Sequence, residues 1–552
     1  MRAILNNTDI DITFQYDLDI IQRIKTIPGH RWDKMSKCWH IPVSQASKVI
    51  EEFQKDLPPD NIETLRKVNA ISVFPPPPTL KSGINILPFQ WHGYNFLLSR
   101  KKCFLADDTG LGKSIESILA AEELFYLKKI DKALVFAPRP LLEQWKSEIL
   151  KFIEIDESEV VIIDGNKSER GTLYSLANER NTKYIIMNYE KARLEDFILD
   201  ENTHRLIIFD EVTKLKNYRS QLFKSLNQIP ANYKFLLSGR PLQNSPSELY
   251  TLNTLLENYL LGSFCDFKNK YAVIEPLKIY TSGGSTTIDK ISGWHNLESL
   301  NEVMKDVILR RTVPEVLPEL PPITNETYNI YPTDSEKEVY GKVFEEIFQK
   351  LEYEYKESTN SGRDELNILA LITLEKEFLD SPKLIEVSQS DSAKKLKETF
   401  GNFDYDGSKI SELKNVLEMA RDGQIVIFTQ FERMAHLIKE KLLTYGETCE
   451  VYGGNAPDSV RKDFLENKFR IVISTDKGAY GVNEFRNAKT LIHYDLPYNP
   501  AILDQRIGRV SGLRQSGNVL VITMTIPDQD MREAQIRSIL HTKNTYFKEV
   551  FK

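Results

Sequence analysis

The sequence predicts an α/β protein with two doubly wound parallel-sheet lobes, helical insertions and a small N-terminal α+β domain. Three observations carry that expectation. From about Leu87 to Leu255, short continuous apolar runs bounded by turn residues alternate with helical patterns. The same alternation returns from Gln424 to Ile526. Between the first fifty residues and the first lobe stands VFPPPPTL, Val73–Leu80, whose four prolines cannot sit inside a helix or a central strand. Unbroken Val/Ile/Leu/Phe strands are those of a parallel sheet covered on both faces.

Taking the elements in order, residues 1–53 read as a small unit in which FQYDLDIIQRIKTIPGHRW forms an amphipathic helix and CWHIPV a short strand. Residues 54–80, acidic and Pro-containing, read as a linker. The first lobe, residues 81–260, holds the strands KCFLAD, ALVFAP, VVIID, YIIMNY, LIIFDE and YKFLLSG. Residues 261–400 read as a mostly helical insertion with a Gly/Ser hairpin at IYTSGGSTTI and a charged stretch, EEIFQKLEYEYKE, best explained as a solvated helix face. The second lobe, residues 401–530, repeats the strand pattern as QIVIFTQ, CEVYGG, RIVISTD, TLIHYDLP and NVLVITMTI, and residues 531–552 form a last helix.

A chain of 552 residues exceeds one ordinary core and points to about three to five structural units. No apolar run has the length needed to span a bilayer, and the N-terminus lacks the apolar stretch of a secretion signal. Cys38, Cys103, Cys265 and Cys449 are dispersed without a CxxC pair, which suggests neither a disulfide framework nor a zinc site. The expected setting is the cytoplasm of a bacterial or phage-infected cell, or the nucleus of a eukaryote, and the expected state is a monomer. Net charge is 72 − 79 = −7, so a nucleic-acid site must be a local basic cleft on an acidic body.

The stretch FLADDTGLGKS, Phe104–Ser114, follows a strand and opens a helix. Such a glycine-rich turn aims backbone N–H groups at a phosphate while the helix N-terminus adds positive potential. Thr109, Gly110, Leu111 and Gly112 form the cradle, Lys113 reaches the β- and γ-phosphates, and Ser114 ligates Mg2+. Asp107 stands where the strict GxxxxGK[ST] string has its first glycine. Downstream, LIIFDEVTKLKN places two adjacent carboxylates at the end of an apolar strand, an arrangement that asks for a cation. Asp210 meets the metal shell, and Glu211 orients and deprotonates the attacking water.

These ordered strings resemble the ATPase motor of helicase superfamily two, and within it the Snf-type double-stranded DNA translocases, over about residues 81–530. LPFQ resembles the adenine-reading segment, ADDTGLGKS the family's DEMGLGKT, and APRPLLEQWKSEI motif Ia. DEVTKLKN is similar to the DEAH-type motif II, LLSGRPLQN to LTGTPLQN of motif III, ISTDKGAYGVN to STxAGGxGLN, and QRIGRVSGLRQSG to QxxGRxxRxGQ. The resemblance implies two RecA-like lobes, ATP and Mg2+ as cofactors, Gln90 as the adenine selector and Arg509 as an arginine finger. It also implies DNA contacts from Arg139, Gln144 and Trp145, from Lys216 and Asn217, from Ser238 and Arg240, and from Ser474, Thr475 and Asn483, all of them sequence-independent.

Four departures accompany the resemblance. Thr213 stands in place of the histidine that couples the ATP site to motif III. Arg240 replaces the small residue of GTP, and Asp476 and Lys477 replace a basic-then-small pair. Gly512 occupies the place of the family's second arginine, and Arg514, two residues on, is the candidate substitute. The first unit resembles the HARP-type module that precedes Snf-type annealing helicases, through Phe14, Tyr16, Asp17, Lys25, Ile27, Pro28, Trp39 and Pro42. Its Lys25, His30, Arg31, Trp32, Lys34 and Lys37 suit phosphates and unpaired bases, although Trp32 and Trp39 also suit a small core. The implied function is an ATP-driven translocase on double-stranded or forked DNA that remodels or reanneals branches. A strand-separating or branch-migration helicase, and a weakly hydrolysing nucleotide-gated DNA-binding module, remain open alternatives.

Overall fold

The computed structural model describes residues 1–551 except 6–8, 70, 181, 195–203, 257–258, 282–283, 346–360, 454–456, 477–484 and 513–516. The chain divides into two units. The first comprises Met1–Glu275, Ile291–Pro318 and Thr545–Lys552; the second comprises Pro276–Lys290 and Glu319–Asn544.

The first unit opens with a four-stranded antiparallel sheet of β1 (Arg2–Leu5), β2 (Asp9–Thr13), β3 (Arg31–Asp33) and β4 (Cys38–Pro42) in the order β1-β2-β4-β3. The helix of the segment is shorter than the pattern suggested, Leu18–Thr26, because Asp17 caps it by accepting from the amides of Asp19 and Ile20. Ile10, Ile12, Ile24, Trp39 and Ile41 form a core with Val49 and Phe53 of helix Ala46–Phe53 and with Leu65. Leu65 lies on helix Pro59–Asn69, inside the stretch expected to be a linker. That expectation is corrected: the prolines at 58 and 59 start a helix, which proline tolerates in its first turn, and Leu57 and Leu65 bury against the small sheet. The four prolines themselves, 75–78, belong to no helix or strand.

All six strands expected in the first lobe form: β5 (Lys102–Leu105), β6 (Lys132–Ala137), β7 (Val160–Ile162), β8 (Tyr184–Asn188), β9 (Arg205–Asp210) and β10 (Tyr233–Leu237). The Gly/Ser hairpin is present as β11 (Ala272–Thr281) and β12 (Gly284–Trp294). A two-residue strand, β13 (Ile308–Leu309), then completes a parallel sheet ordered β13-β5-β10-β9-β6-β8-β7. Alternate residues serve opposite faces. Phe104, Leu134, Phe136, Ile207 and Phe209 enter one core, and Cys103, Leu105, Val135, Leu206 and Ile208 the other. This double coverage is why the strands read as unbroken apolar runs.

The second unit carries β14 (Ile323–Asn329), β15 (Gln424–Thr429), β16 (Cys449–Tyr452), β17 (Ile471–Thr475), β18 (Ala488–His493) and β19 (Val519–Thr525), parallel throughout in the order β14-β19-β18-β15-β17-β16. Besides the expected hairpin, two strands, β13 and β14, thus fall within residues 261–400, which were expected to be mostly helical. β13 is too short to show a period, and β14, ITNETYN, is a largely exposed edge strand with little apolar content. The charged stretch EEIFQKLEYEYKE falls almost wholly outside the described residues. The final helix runs Arg532–Val550. Among the described residues no helix is long and apolar enough to cross a membrane.

Candidate functional site: a phosphate loop and its carboxylates

From β5 the chain turns through 106–112 into helix Lys113–Tyr126. Gly110 and Gly112 stand at φ 90° and 91°, where a side chain is strained, and a Cβ on Gly112 would meet the Gln90 amide at 2.5 Å. Asp107 has no such φ, so the absent first glycine removes no conformation that the turn needs. Lys113 Nζ donates to the carbonyls of Asp107 at 2.7 Å and Asp108 at 3.0 Å. These neutral acceptors are weaker partners than a phosphate oxygen for an ammonium donor. Gln90 braces the loop from behind: its Nε2 donates to the Leu111 carbonyl at 3.1 Å and its Oε1 accepts from the Leu87 amide at 3.0 Å.

Asp210 ends β9, and Glu211 follows in the left-handed region at φ 49°, ψ 50°. A non-glycine residue held there stores on the order of 1 kcal/mol, a feature that collects at functional sites. The Asp210 carboxylate accepts from the Trp145 indole at 2.8 Å and from the Glu211 amide at 2.9 Å, while Tyr189 donates to its carbonyl at 2.6 Å. Burial pushes the Asp210 carboxyl above the usual carboxylate range, with the indole and Lys113 opposing. One turn from Trp145, Glu148 accepts from Gln144 at 2.9 Å. Burial raises Glu148 too; the hydrogen bonds from Gln144 and from the Ser114 hydroxyl hold it down, and the charge on Asp210 pushes it further up. Ser114 and Asp210 offer oxygen donors of the kind that fits Mg2+.

Two arginines that the sequence analysis left unassigned lock the loop. Arg311, just past β13, donates from its backbone amide to Asp107 Oδ1 at 2.8 Å and from Nε to both Asp107 oxygens at 3.1 and 3.0 Å. Its Nη2 bonds Asp107 and reaches Glu116 at 2.9 and 3.0 Å, and Nη1 bonds the Phe89 carbonyl. Both carboxylates are fully buried. Burial drives Glu116 well above the carboxylate range even though Arg311 pulls it down. Arg310 donates to the Ala106 carbonyl and to Asp108, each at 2.7 Å. The legible signal was Glu116 in the first turn of a buried helix, since a buried acid demands a cation somewhere in the chain.

The replacement of the coupling histidine by Thr213 does not sever motif II from motif III. Gln243 Nε2 donates to the Thr213 hydroxyl at 2.9 Å, and Lys216 donates to Gln243 Oε1 at 3.1 Å. Gln243 in turn sits on Glu248, which accepts its amide at 2.7 Å.

Several residues expected to touch DNA are instead turned inward. Trp145 is 2% exposed, and its only polar atom is taken by Asp210. Gln144 serves Glu148. Ser238 is buried and accepts from the Arg240 amide, while the buried Arg240 guanidinium stacks on Phe547 at 4.4 Å. Ser474 and Thr475 are buried at the end of β17. Burial of their side chains speaks against DNA contact by Trp145, Ser238, Arg240, Ser474 and Thr475, while half-buried Gln144 remains a candidate. Arg139 is exposed and pairs with Asp164 at 3.2 Å, Asn217 is exposed and caps its own turn, and Lys216 is partly exposed, so these three keep accessible polar groups. Asn483 and Arg514 lie outside the described residues.

In the second unit Arg506 is fully buried between Asp476, at 2.7 Å, and Asp495, at 3.1 Å. Asp476 is therefore the structural partner of an arginine, which accounts for an acid at that motif position. Arg509 lies one turn further, also buried, and Gly512 takes φ 120°, a conformation an arginine would not adopt without strain.

In the N-terminal unit Trp32 is 48% exposed and leans on the buried Trp39 at 5.4 Å between ring centres, so one tryptophan is core and the other surface. Arg31 pairs with Asp9 at 2.8 Å and covers Tyr259. Asp11, Cys38 and His40 converge here, but His40 Nδ1 and Asp11 Oδ1 are 2.6 Å apart. Two ligands of one tetrahedral ion stand roughly 3.3 Å apart, so the pair is a hydrogen bond.

Comparison with known proteins adds the following. The family model of the SNF2-related domain matches residues 49–384, and that of the helicase conserved C-terminal domain matches residues 408–511. The CHD3-type chromatin-remodeling factor PICKLE of Arabidopsis thaliana is 25% identical over 497 residues, covering 82% of this chain and 34% of its own length. The DNA repair and recombination protein RDH54 of Saccharomyces cerevisiae is 26% identical over 446 residues, covering 74% of this chain and 45% of its own. The chain thus spans about a third to a half of the length of these curated relatives. Among solved structures, the Sulfolobus solfataricus SWI2/SNF2 ATPase core in complex with dsDNA aligns over 87% of this chain and 95% of its own, at 23% identity and a TM-score of 0.41. The Pyrococcus furiosus Hef helicase domain aligns over 83% of this chain and 99% of its own, at 17% identity and a TM-score of 0.48.

Proposed function

The chain belongs to the SNF2-related family, and from that membership we propose that it is an ATP-driven translocase on double-stranded DNA. Membership makes it an ATPase of that family; the DNA substrate and the outcome on DNA are the proposal. The observation that supports it most is the meeting of Lys113, Ser114, Asp210 and Glu211 around one phosphate loop. Lys113 exchanges its two carbonyl acceptors for the β- and γ-phosphates, while the amides of residues 110–113 face the same charge. Ser114 and Asp210 hold Mg2+, which when bound neutralises the phosphate oxygens that gain charge during transfer. Glu211 orients the attacking water and takes its proton. Arg509 is the arginine proposed to meet the γ-phosphate, and Arg514 is the proposed substitute for the second arginine that the family has where this sequence has Gly512. Accessible Arg139, Lys216 and Asn217 are proposed phosphate-backbone contacts.

For the N-terminal unit the proposed role is that of a HARP-like module which recognises forks, with exposed Trp32 stacking on an unpaired base beside Lys34 and Lys37. Fork or branch remodelling is the resulting process, and RDH54, a DNA repair and recombination protein by name, is compatible with it.

ATP turnover measured without DNA and with single-stranded, double-stranded and forked DNA tests the whole reading. Duplex stimulation that Lys113→Ala abolishes, and a fork preference that disappears with Trp32→Ala, are the expected results. Equal rates on all substrates would reject the translocase. Arg509→Ala is expected to lower turnover by about 10³-fold or more, as removal of an arginine finger does, with ATP affinity retained. Arg514→Ala is expected to be severely impaired, and a fully active variant would leave Gly512 as an uncompensated loss.

A further inference from the structure

The small N-terminal sheet gathers a sulfur, an imidazole and two carboxylates that neither the phosphate site nor the proposed DNA contacts use. Along β4, Trp39 and Ile41 enter the small core, so Cys38 and His40 share the opposite face of the sheet. The strand register sets Asp33 of β3 beside Cys38 and Asp11 of β2 beside His40. A carboxylate accepts, so His40 Nδ1 donates to Asp11 Oδ1 at 2.6 Å and the ring lone pair falls on Nε2. Nε2 is also the ring nitrogen nearer to sulfur, 3.5 Å from Cys38 Sγ against 4.0 Å for Nδ1, and it stands 3.8 Å from Asp33 Oδ2. The Ser36 hydroxyl lies 2.6 Å from Asp33 Oδ2 and 3.0 Å from Cys38 Sγ, which ties these two side chains together.

We infer that Cys38, His40 and Asp33 form a binding site for Zn2+, with Asp11 as the outer partner that orients His40 and with solvent in the fourth position. Zinc–sulfur and zinc–nitrogen bonds of about 2.3 and 2.0–2.1 Å at a tetrahedral angle separate sulfur from nitrogen by about 3.5 Å, and nitrogen from oxygen by about 3.3 Å. The first separation is present, and a small turn of the Asp33 carboxylate, whose side chain is 39% exposed, supplies the second. Hydrogen bonding accounts for the Asp11–His40 pair, but it does not call for a sulfur and a further carboxylate around the other ring nitrogen. A histidine that gives its second N–H to a carboxylate is the common arrangement at zinc. Mixed sulfur, nitrogen and oxygen donors suit Zn2+, whereas Mg2+ takes oxygen alone. No CxxC pair announces the site, because Cys38 and His40 reach one face through the two-residue period of a strand and the third donor comes from the neighbouring strand. The bound ion ties β3 to β4 across the turn of residues 34–37. This inference is independent of the assignment of that turn to DNA.

The test titrates Co2+, a zinc substitute with a visible spectrum, into the metal-stripped full-length protein without nucleotide. Wild type is expected to develop a thiolate-to-cobalt charge-transfer band that saturates with a single equivalent, that Zn2+ bleaches and that excess Mg2+ leaves in place. Cys38→Ser is expected to lose the band. Because Cys38 is buried, His40→Gln at a half-buried side chain is the second ligand variant, and it is expected to lose the band as well. Asp11→Ala is expected to keep the band and to weaken Co2+ binding about 10–100-fold, as loss of an outer partner does, while Asp11→Asn, which keeps an acceptor oxygen, retains most of the affinity. Thermal unfolding in EDTA checks that each variant is folded. A wild-type protein without the band would overturn the proposal, as would its displacement by Mg2+ or an affinity unchanged in Asp11→Ala. A band that survives in folded Cys38→Ser would also overturn it, by placing the ion on Cys103, Cys265 or Cys449.

Discussion

Arg311→Ala is the substitution whose consequence the structure defines most fully. It deletes a guanidinium that bonds Asp107, Glu116 and the Phe89 carbonyl, and it leaves two carboxylates with no solvent exposure and no cation. The Arg311 backbone amide still donates to Asp107, so that carboxylate keeps one of its partners. Removing one member of a buried ion network destabilises by about 3–5 kcal/mol. For a large domain about 1 kcal/mol shifts the unfolding midpoint by roughly 2–4 °C, so a drop of about 6–20 °C is expected. Part of the penalty is relieved by protonation of Glu116, whose carboxyl is pushed up by burial and would lose the opposing pull of Arg311. The deficit is therefore expected to be smaller at pH 5.5 than at pH 8, roughly in line with the free energy of taking up one proton. Thermal unfolding at both pH values, followed by nucleotide binding to check the loop, is the assay. The triple variant Asp107→Asn, Glu116→Gln, Arg311→Met removes every charge and is expected to recover most of the loss, because replacing a whole buried network is far milder than breaking it. An Arg311→Ala protein within about 1 kcal/mol of wild type at pH 8, or a triple variant no better than the single one, would refute the assignment of Arg311 as the clamp of the phosphate loop.

Three further outcomes are expected. Trp145→Phe loses an indole-to-carboxylate bond of about 1.5–3 kcal/mol, so kcat/KM for ATP is expected to fall about tenfold to a hundredfold. The acid limb of the pH profile should move to higher pH because a donor that favours the ionised Asp210 is gone; steady-state kinetics across pH checks both. Thr213→Val removes the hydroxyl that accepts from Gln243 Nε2, a bond of about 0.5–1.5 kcal/mol. Basal ATPase should stay within a few-fold while stimulation by duplex DNA collapses, measured as the ratio of the two rates. Burial pushes the Glu377 carboxyl up to about 7 against the pull of Arg433. Its folded pKa is therefore raised, and the stability it contributes is full below about pH 4.5 and lost as pH rises through 7. Glu377→Gln, a mimic of the protonated form, is expected to be more stable than wild type above pH 8 by about 3 kcal/mol and equal to it near pH 4.5, as read by denaturant unfolding.

The sequence by itself determined the two parallel sheets and the glycine-rich turn proposed to hold a phosphate. Strands such as ALVFAP and RIVISTD lie between two cores, so their apolar content is local information that survives without a structure. Lys113, Ser114, Asp210 and Glu211 were legible for a related reason: the turns that carry them need glycines or adjacent acids at short spacing. Polar edge strand β14 was invisible because an exposed strand need not be apolar, and helix Pro59–Asn69 was hidden by prolines that mark its start.

Tertiary structure alone decided who holds whom. Arg311 is 204 residues from Asp107, and Trp145 is 65 from Asp210; no spacing rule joins them, because the sheet order and not the chain order makes β13 the neighbour of β5. The same distinction moved Trp145 from a surface expected to touch DNA to the buried carboxylate of Asp210, since its residue type and motif were readable but the direction of its indole was not. Thr213 and Gln243, 30 residues apart, show the complementary case: a substitution that looked like a broken connection is a hydrogen bond of 2.9 Å between different groups. Local pattern specifies which elements form and which residue types sit at their ends, whereas burial of charge is settled only when distant segments pack and each carboxylate finds its cation or donor.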